Sequence, residues 1–245
     1  QAIDAATPDE PRLAADVSLT YAGSALHDLG GGLAYVSDHG LAVVDLREPD
    51  RPVIDKLDTA AWPWGEIKDV AGRSVVAESD ADRGVALLDA TDPWRPRALA
   101  RIELPLHPVV ARLVDGRLYV NAAGSLGASI LYVFAVTDPE HPTPLGERRI
   151  VWLANDMAVA GGRAYLALEP RTGDSSDESP GRFQVLDVAD PAAMTVLGEV
   201  QFAYGASGLA LVGDSNGTVT GAYVTTMNWY RAGGSGMYRI DVTAP

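Results

Sequence analysis

One phrase recurs along the chain and constrains its fold more than any other feature: an apolar strand, an Asp, a short turn containing Pro, then another apolar strand. Its copies are Leu41-Ala42-Val43-Val44-Asp45 with Pro49, Val85-Ala86-Leu87-Leu88-Asp89 with Pro93, and Leu131-Tyr132-Val133-Phe134-Ala135 with Pro139. Phe183-Gln184-Val185-Leu186-Asp187 with Pro191 and Met237-Tyr238-Arg239-Ile240-Asp241 with Pro245 follow. A partial copy, Ala2-Ile3-Asp4 with Pro8, opens the chain, and Ala135 is the one copy that lacks the Asp. The marks at 4, 45, 89, 135, 187 and 241 define five intervals. A second phrase precedes each complete copy: a Gly-containing turn, then a strand with an aromatic or Val at a fixed place, as Tyr35, Val76, Tyr119, Tyr165 and Tyr223.

Each unit therefore reads as four strands. Strand a precedes the Gly turn, b holds the Tyr, c ends on the Asp, and d follows the Pro turn. Four short strands repeated every ~40–50 residues predict a β-propeller. The expectation is an all-β, five-bladed propeller with four antiparallel strands per blade, a single domain over 1–245. Its blades lie at roughly 21–58, 59–104, 105–150, 151–202 and 203–245. The strand-like stretch 11–19 is expected to pair with the last strand c and close the ring, which removes an open edge. Residues 1–8 repeat strand c and are surplus to five blades, as a strap or the remnant of an additional blade. Alternating apolar residues need a partner sheet on each side, which neighbouring blades supply. The Asp after strand c is expected to bond backbone two residues on, and the Pro presets φ. That makes the repeated Asp residues structural.

Composition narrows the function classes. Hydrophobic residues make up 47% and aromatics only 7%, so the core must be mostly Val, Leu, Ile and Ala. No apolar run approaches the ~20 residues of a membrane-spanning helix. A net charge of -14 repels phosphates, which argues against nucleic acid as a partner. The absence of Cys excludes disulfides, thiolate catalysis and Cys-ligated zinc. His27, His39, His107 and His141 have no local ligand spacing, so no metal is expected. No Gly-x-Ser-x-Gly elbow, phosphate loop or dinucleotide fingerprint is present, and no cofactor is expected.

The phrase ending at Asp45 and Pro49, with Gly32-Leu33-Ala34-Tyr35-Val36 before it, resembles the LVIVD-repeat family. The resemblance covers nearly the whole chain and implies a bacterial or archaeal exported propeller that binds something. It thereby implies an extracellular, periplasmic or cell-surface location. The matching positions are strand and turn residues, so it implies nothing about chemistry.

Function is expected where the copies disagree, in the d–a and b–c connections, which leave a propeller on one face around the channel mouth. Loops held by a rigid scaffold carry function. The d–a segments carry Tyr21, Trp62, Trp64, His107, Trp152, and Phe202 with Tyr204, each six to nine residues before the same strand-a position of its unit. A ring of aromatics at a pocket mouth suits a small molecule or sugar, with inter-blade packing as the alternative. The b–c insert 169–181 is acidic and reads as a loop, with calcium as a lesser alternative. The insert 226–236 holds Met227, Trp229, Tyr230 and Arg231, which plug the mouth or form a ligand wall. Strand a adds polar groups, among them Arg112, with His27, Glu66, Lys68 and Asn155 as the channel-facing candidates. Glu66, Lys68 and His27 are candidates for acid–base work, and Glu66 with Asp156 for a glycosidase carboxylate pair. The primary expectation is a module binding a small molecule, glycan or protein. The alternatives are a glycoside hydrolase or lyase at the same mouth, and a purely structural surface module.

Overall fold

The structure is a computed structural model. It describes residues 2–4, 12–15, 26–37, 41–48, 51–57, 65–79, 83–124, 129–169, 180–227 and 235–243. They fall into two compact units, 1–103 and 104–245.

The first unit holds β1 (Ala2–Asp4), β2 (Arg12–Ala15), and two four-stranded sheets. The first sheet runs β3 (Leu26–Gly30), β4 (Leu33–Ser37), β5 (Leu41–Asp45), β6 (Val53–Lys56). The second runs β7 (Ile67–Ala71), β8 (Ser74–Ser79), β9 (Gly84–Asp89), β10 (Arg97–Glu103). The second unit repeats the plan with β11 (His107–Val114), β12 (Arg117–Ala123), β13 (Ser129–Ala135), β14 (Thr143–Ile150). There follow β15 (Leu153–Ala160), β16 (Arg163–Glu169), β17 (Gly181–Asp187), β18 (Thr195–Phe202), and then β19 (Gly205–Gly213), β20 (Val219–Met227), β21 (Gly236–Asp241). Every pairing is antiparallel between chain neighbours, so the four-stranded sheets are a–b–c–d meanders and the chain is a five-bladed β-propeller.

The repeated residues do what their chemistry dictates. The carboxylates of Asp45, Asp89, Asp187 and Asp241 accept the backbone N–H of Arg47, Thr91, Ala189 and Thr243 at 2.9–3.0 Å. Asp92, Asp138 and Asp190 make the same bond one turn later. The Arg47 side chain on Asp45, with the Arg47 backbone N–H, lowers that carboxyl to about 2, and the Thr91 and Thr243 side chains and backbone N–H groups lower Asp89 and Asp241. The a–b turn of the third blade is Asp115-Gly116, with φ of 50° and 71°. Both are left-handed, the pattern of a type I′ hairpin turn, which Asp-Gly adopts at little cost.

Strands b and c do not alternate as the sequence suggests. Leu41–Val44, Gly84–Leu88, Leu118–Ala123 and Ala164–Leu168 are buried at every position; in β16 Leu166 and Leu168 pack with the third blade and Tyr165 and Ala167 with the fifth. The cores lie between blades. Tyr35, Leu41 and Val43 pack with Ile67, Val75 and Leu88. Tyr119, Leu131 and Val133 pack with Met157, Leu166 and Leu186, and Tyr165 and Phe183 with Ala206, Ala222 and Val224. The Tyr35 hydroxyl also donates to the Pro93 carbonyl at 2.7 Å, tying the first blade to the second.

Two details depart from expectation. The fifth blade has three described strands, β19, β20 and β21. Strand β2 is paired with β1 as a two-stranded sheet, and residues 16–19 of the stretch expected to close the ring lie outside the described residues. The reason is local. β1 is itself a strand-c copy, and Asp4 pairs with Arg12, eight residues on, as Asp45 does with Val53, Asp89 with Arg97, Ala135 with Thr143 and Asp187 with Thr195. Pairing across so short a connection costs less closure entropy than reaching a distant strand.

Blade contact also sets glycines. A Cβ on Gly146 in β14 would collide with the Pro191 carbonyl of the next blade. Gly146→Ala is expected to destabilise by about 1–2 kcal/mol, read by urea unfolding, because backbone must move. Gly198→Ala, at the equivalent place in β18 with none of the described residues within 4 Å, is expected to stay within about 0.5 kcal/mol of the parent.

Candidate functional site

The site is built from strand ends. The d–a connections enter strands a, and the b–c connections leave strands b and enter strands c, at one end of each blade. In β7, β11, β15 and β19 the register shifts near that end: after Ile67, Pro108, Ala154 and Ala206 one residue is left out of the ladder. Such a bulge turns a side chain away from the regular alternation. The extra residues include Lys68, Asn155 and Ser207.

In the first unit, Lys68 is nearly buried, its side chain 9% exposed, and its Nζ lies 3.0 Å from Glu66 Oε2 and 3.0 Å from Glu78 Oε2. Burial works against the ammonium, but the two carboxylates outweigh it and hold the pKa above its ordinary range. Glu66 and Glu78 are also bound through their backbones, Glu78 N–H to the Glu66 carbonyl at 2.8 Å. A lysine fixed as a cation is a poor base or nucleophile. What the group offers is a carboxylate, Glu66, 40% exposed and held at a fixed place. His27 stands half-buried in β3, opposite Tyr35, and β3 adjoins β7.

In the second unit the inner strands β11, β15 and β19 lie side by side and are bonded to one another through side chains. Asp156 Oδ1 accepts from Arg112 Nη2 at 2.7 Å and from the Met157 N–H at 2.8 Å, and its Oδ2 accepts from the Leu209 N–H at 2.9 Å. Asn155 Nδ2 donates to the Ala206 carbonyl at 2.9 Å. Asp156 thus joins three successive blades. Both residues hold the inner strands in place.

Above them Trp152, in the β14–β15 connection, is half-buried, and the Arg182 guanidinium lies over its ring at 4.1 Å. The Trp152 carbonyl accepts from Ser129 Oγ at 2.7 Å, and Ser129 Oγ accepts from Asn121 Nδ2 at 3.0 Å. Asn121 and Ser129 are fully buried, so the Trp152 backbone is anchored from below. Arg182 is 31% exposed, with Glu199 Oε2 3.4 Å from its Nη1. A guanidinium braced by an aromatic face has less freedom to lose on binding.

At the same end of this unit, His107 is the exposed first residue of β11, Tyr204 sits half-buried in the β18–β19 connection, and Met227, 37% exposed, ends β20 opposite Gly205. Phe202 is buried and packs on Tyr238, ring centroids 4.9 Å apart. Tyr21, Trp62, Trp64, Trp229, Tyr230 and Arg231 lie outside the described residues, as does most of the 169–181 insert. Glu78, Arg182, Ser129 and Asn121 escape the sequence reading because they sit inside regular strands. The signal available for Arg182 and Glu78 is that each is a charge within two residues of a b–c connection in an otherwise apolar strand. No group of three or more His, Cys, Asp or Glu able to hold a metal exists among the described residues. Nor is any described helix long and apolar enough to cross a membrane.

No family model matches the chain, and no curated protein matches it. Solved structures do. A functionally unknown protein of Desulfotomaculum acetoxidans is 13% identical, TM-score 0.56, over 87% of this chain and 68% of that one. The Cps50 (Swd1) β-propeller domain of Myceliophteria thermophila is 12% identical, TM-score 0.56, over 86% and 66%. Sqt1 of Saccharomyces cerevisiae is 9% identical, TM-score 0.53, over 91% and 63%. The chain therefore spans about two thirds of the length of these proteins. At such identities the likeness carries the fold alone, and the fold it carries is the β-propeller.

Proposed function

We propose that the chain is an exported, LVIVD-type propeller that binds a small molecule, glycan or protein at the strand ends where the d–a and b–c connections emerge. The observation that carries this is Arg182 stacked on Trp152, anchored through Ser129 and Asn121 and partly open to solvent. An aromatic face beside a braced guanidinium suits a ligand presenting carboxylate or hydroxyl groups. His107, Tyr204 and Met227 would extend this surface. The recurrent strand phrase supports the family and, through it, the exported location.

Catalysis by the Glu66 and Asp156 carboxylates is less well supported. Glu66 shares an ammonium with Glu78, and Asp156 accepts three hydrogen bonds that join blades. A screen of soluble oligosaccharides and uronic acids by titration calorimetry tests the binding reading. Trp152→Ala is expected to weaken any ligand found by about tenfold or more, with Trp152→Phe retaining most affinity. Unchanged affinity in Trp152→Ala would remove this surface from the reading.

A further inference from the structure

The arginines of the second unit divide by what their guanidinium groups bond. Arg112 donates to the Asp156 carboxylate and to the Ala111 carbonyl, both at 2.7 Å. Arg117 donates to the Val188 and Ala189 carbonyls, and Arg148 to the Met194 carbonyl. All three thereby tie the third blade to the fourth and are spent on the fold. Arg182 is bonded differently. Its carboxylate neighbour, Glu199, stands on the adjacent strand of the same blade, and Arg182 Nη1 lies 3.4 Å from Glu199 Oε2. That is well beyond the ~2.7–2.9 Å of a charge-assisted bond. The same Oε2 accepts from Gln184 Nε2 at 3.2 Å, so Glu199 keeps a donor of its own when Arg182 bonds elsewhere. The Arg182 side chain is 31% and that of Glu199 45% exposed, so solvent reaches both. The Trp152 ring, its centroid 4.1 Å from the guanidinium carbon, fixes the place of the cation and supplies no oxygen acceptor.

We infer that, within the binding surface proposed above and resting on that reading, Arg182 selects ligands that carry a carboxylate, and Glu199 is the internal competitor that such a carboxylate displaces. A guanidinium offers only donors, in a planar fork that matches both oxygens of a carboxylate. A neutral hydroxyl brings one oxygen and a proton that Arg182 cannot accept. Bracing by Trp152 leaves the fork in place when Glu199 lets go, so exchanging one carboxylate for another costs little ordering. Glu199 opposes the exchange in two ways: it occupies Nη1, and its charge repels the incoming anion. The rest of the protein opposes it as well, since a net charge of -14 repels anions at long range. A preference for a carboxylate over its neutral counterpart therefore has to be local, and Arg182 is placed to supply it.

The probes are galacturonate and its methyl ester, which keeps the ring and loses the charge, each titrated into the full chain and followed by amide and indole chemical shifts. Galacturonate is expected to move the Trp152 and Arg182 signals to saturation and to bind about fivefold or more tighter than the ester. Glu199→Gln is expected to tighten galacturonate by about threefold or more and to leave the ester within about twofold of the parent. Glu147→Gln removes the same charge from an exposed place on β14 and is expected to change neither. Arg182→Gln is expected to abolish the preference. Should that variant fail to fold, the ester comparison and Glu199→Gln decide. Equal binding of galacturonate and ester, or a Glu199→Gln variant that binds galacturonate no tighter, overturns the proposal and leaves the surface standing. No shift from either probe overturns the proposal too, while the surface is then decided by Trp152→Ala against the other members of the panel. Galacturonate binding that Trp152→Ala leaves unchanged overturns the surface and the proposal together.

Discussion

Asp156→Ala is expected to cost the 104–245 unit about 2–4 kcal/mol, because the change takes the acceptor from Arg112 Nη2 and from a backbone N–H on two neighbouring blades. The carboxylate accepts from Arg112 on one side and Leu209 N–H on the other, and is itself only 24% exposed. Water reaches part of the pair, which keeps the figure below that of a fully buried ion pair. Asp156→Asn is expected to cost less, since the amide oxygen still accepts one of the bonds. Urea unfolding followed by circular dichroism reads both. A loss below about 0.5 kcal/mol for the alanine variant would mean that the blades are held by packing alone.

Lys68→Met has the second large effect. It removes the one ammonium between Glu66 and Glu78 and leaves two carboxylates close together at a half-buried place. The expected loss is about 2–4 kcal/mol at neutral pH. Lys68 has a raised pKa, so its contribution is complete below the unfolded-state value of ~10.4 and is lost as pH rises through the folded-state value above it. Thermal unfolding of both proteins between pH 4 and 11 tests this. A variant whose deficit persists unchanged above the folded-state pKa of Lys68 would show that the ammonium charge does not hold the two carboxylates.

Much of the fold is legible in the sequence, because a repeat states the same physics several times. The Asp at 45, 89, 187 and 241 reads as a turn residue at each place, and its bond to the backbone two residues on is present at each. Pairing choice is less legible. Residues 2–4 and 236–241 are both strand-c copies, so nothing in the sequence alone decides which of them a strand-d copy joins; the short connection between β1 and β2 decides it. Strict alternation fails in strands b and c, as in β16, where the third and fifth blades press on opposite faces, which no single strand encodes. The candidate site is legible only in part. Trp152, Asn155 and Glu66 stand out by type and position. Their partners, Arg182, Ala206 and Glu78, come from another strand or another blade, at separations with no period. Asp156 shows the difficulty best. A polar residue in an inner strand reads as chemistry until the Leu209 N–H of the following blade is seen to bond to it.

The central claim is that the repeated turns hold the structure and the d–a and b–c strand ends bind. Backbone amide chemical shifts of the full chain, recorded against the panel of oligosaccharides and uronic acids, test it most directly. The expected shifts cluster at His107, Trp152, Arg182, Tyr204 and Met227 and leave Asp45, Asp89, Asp187 and Asp241 unmoved. Shifts centred on those Asp turns, or none with any member of the panel, would contradict the claim.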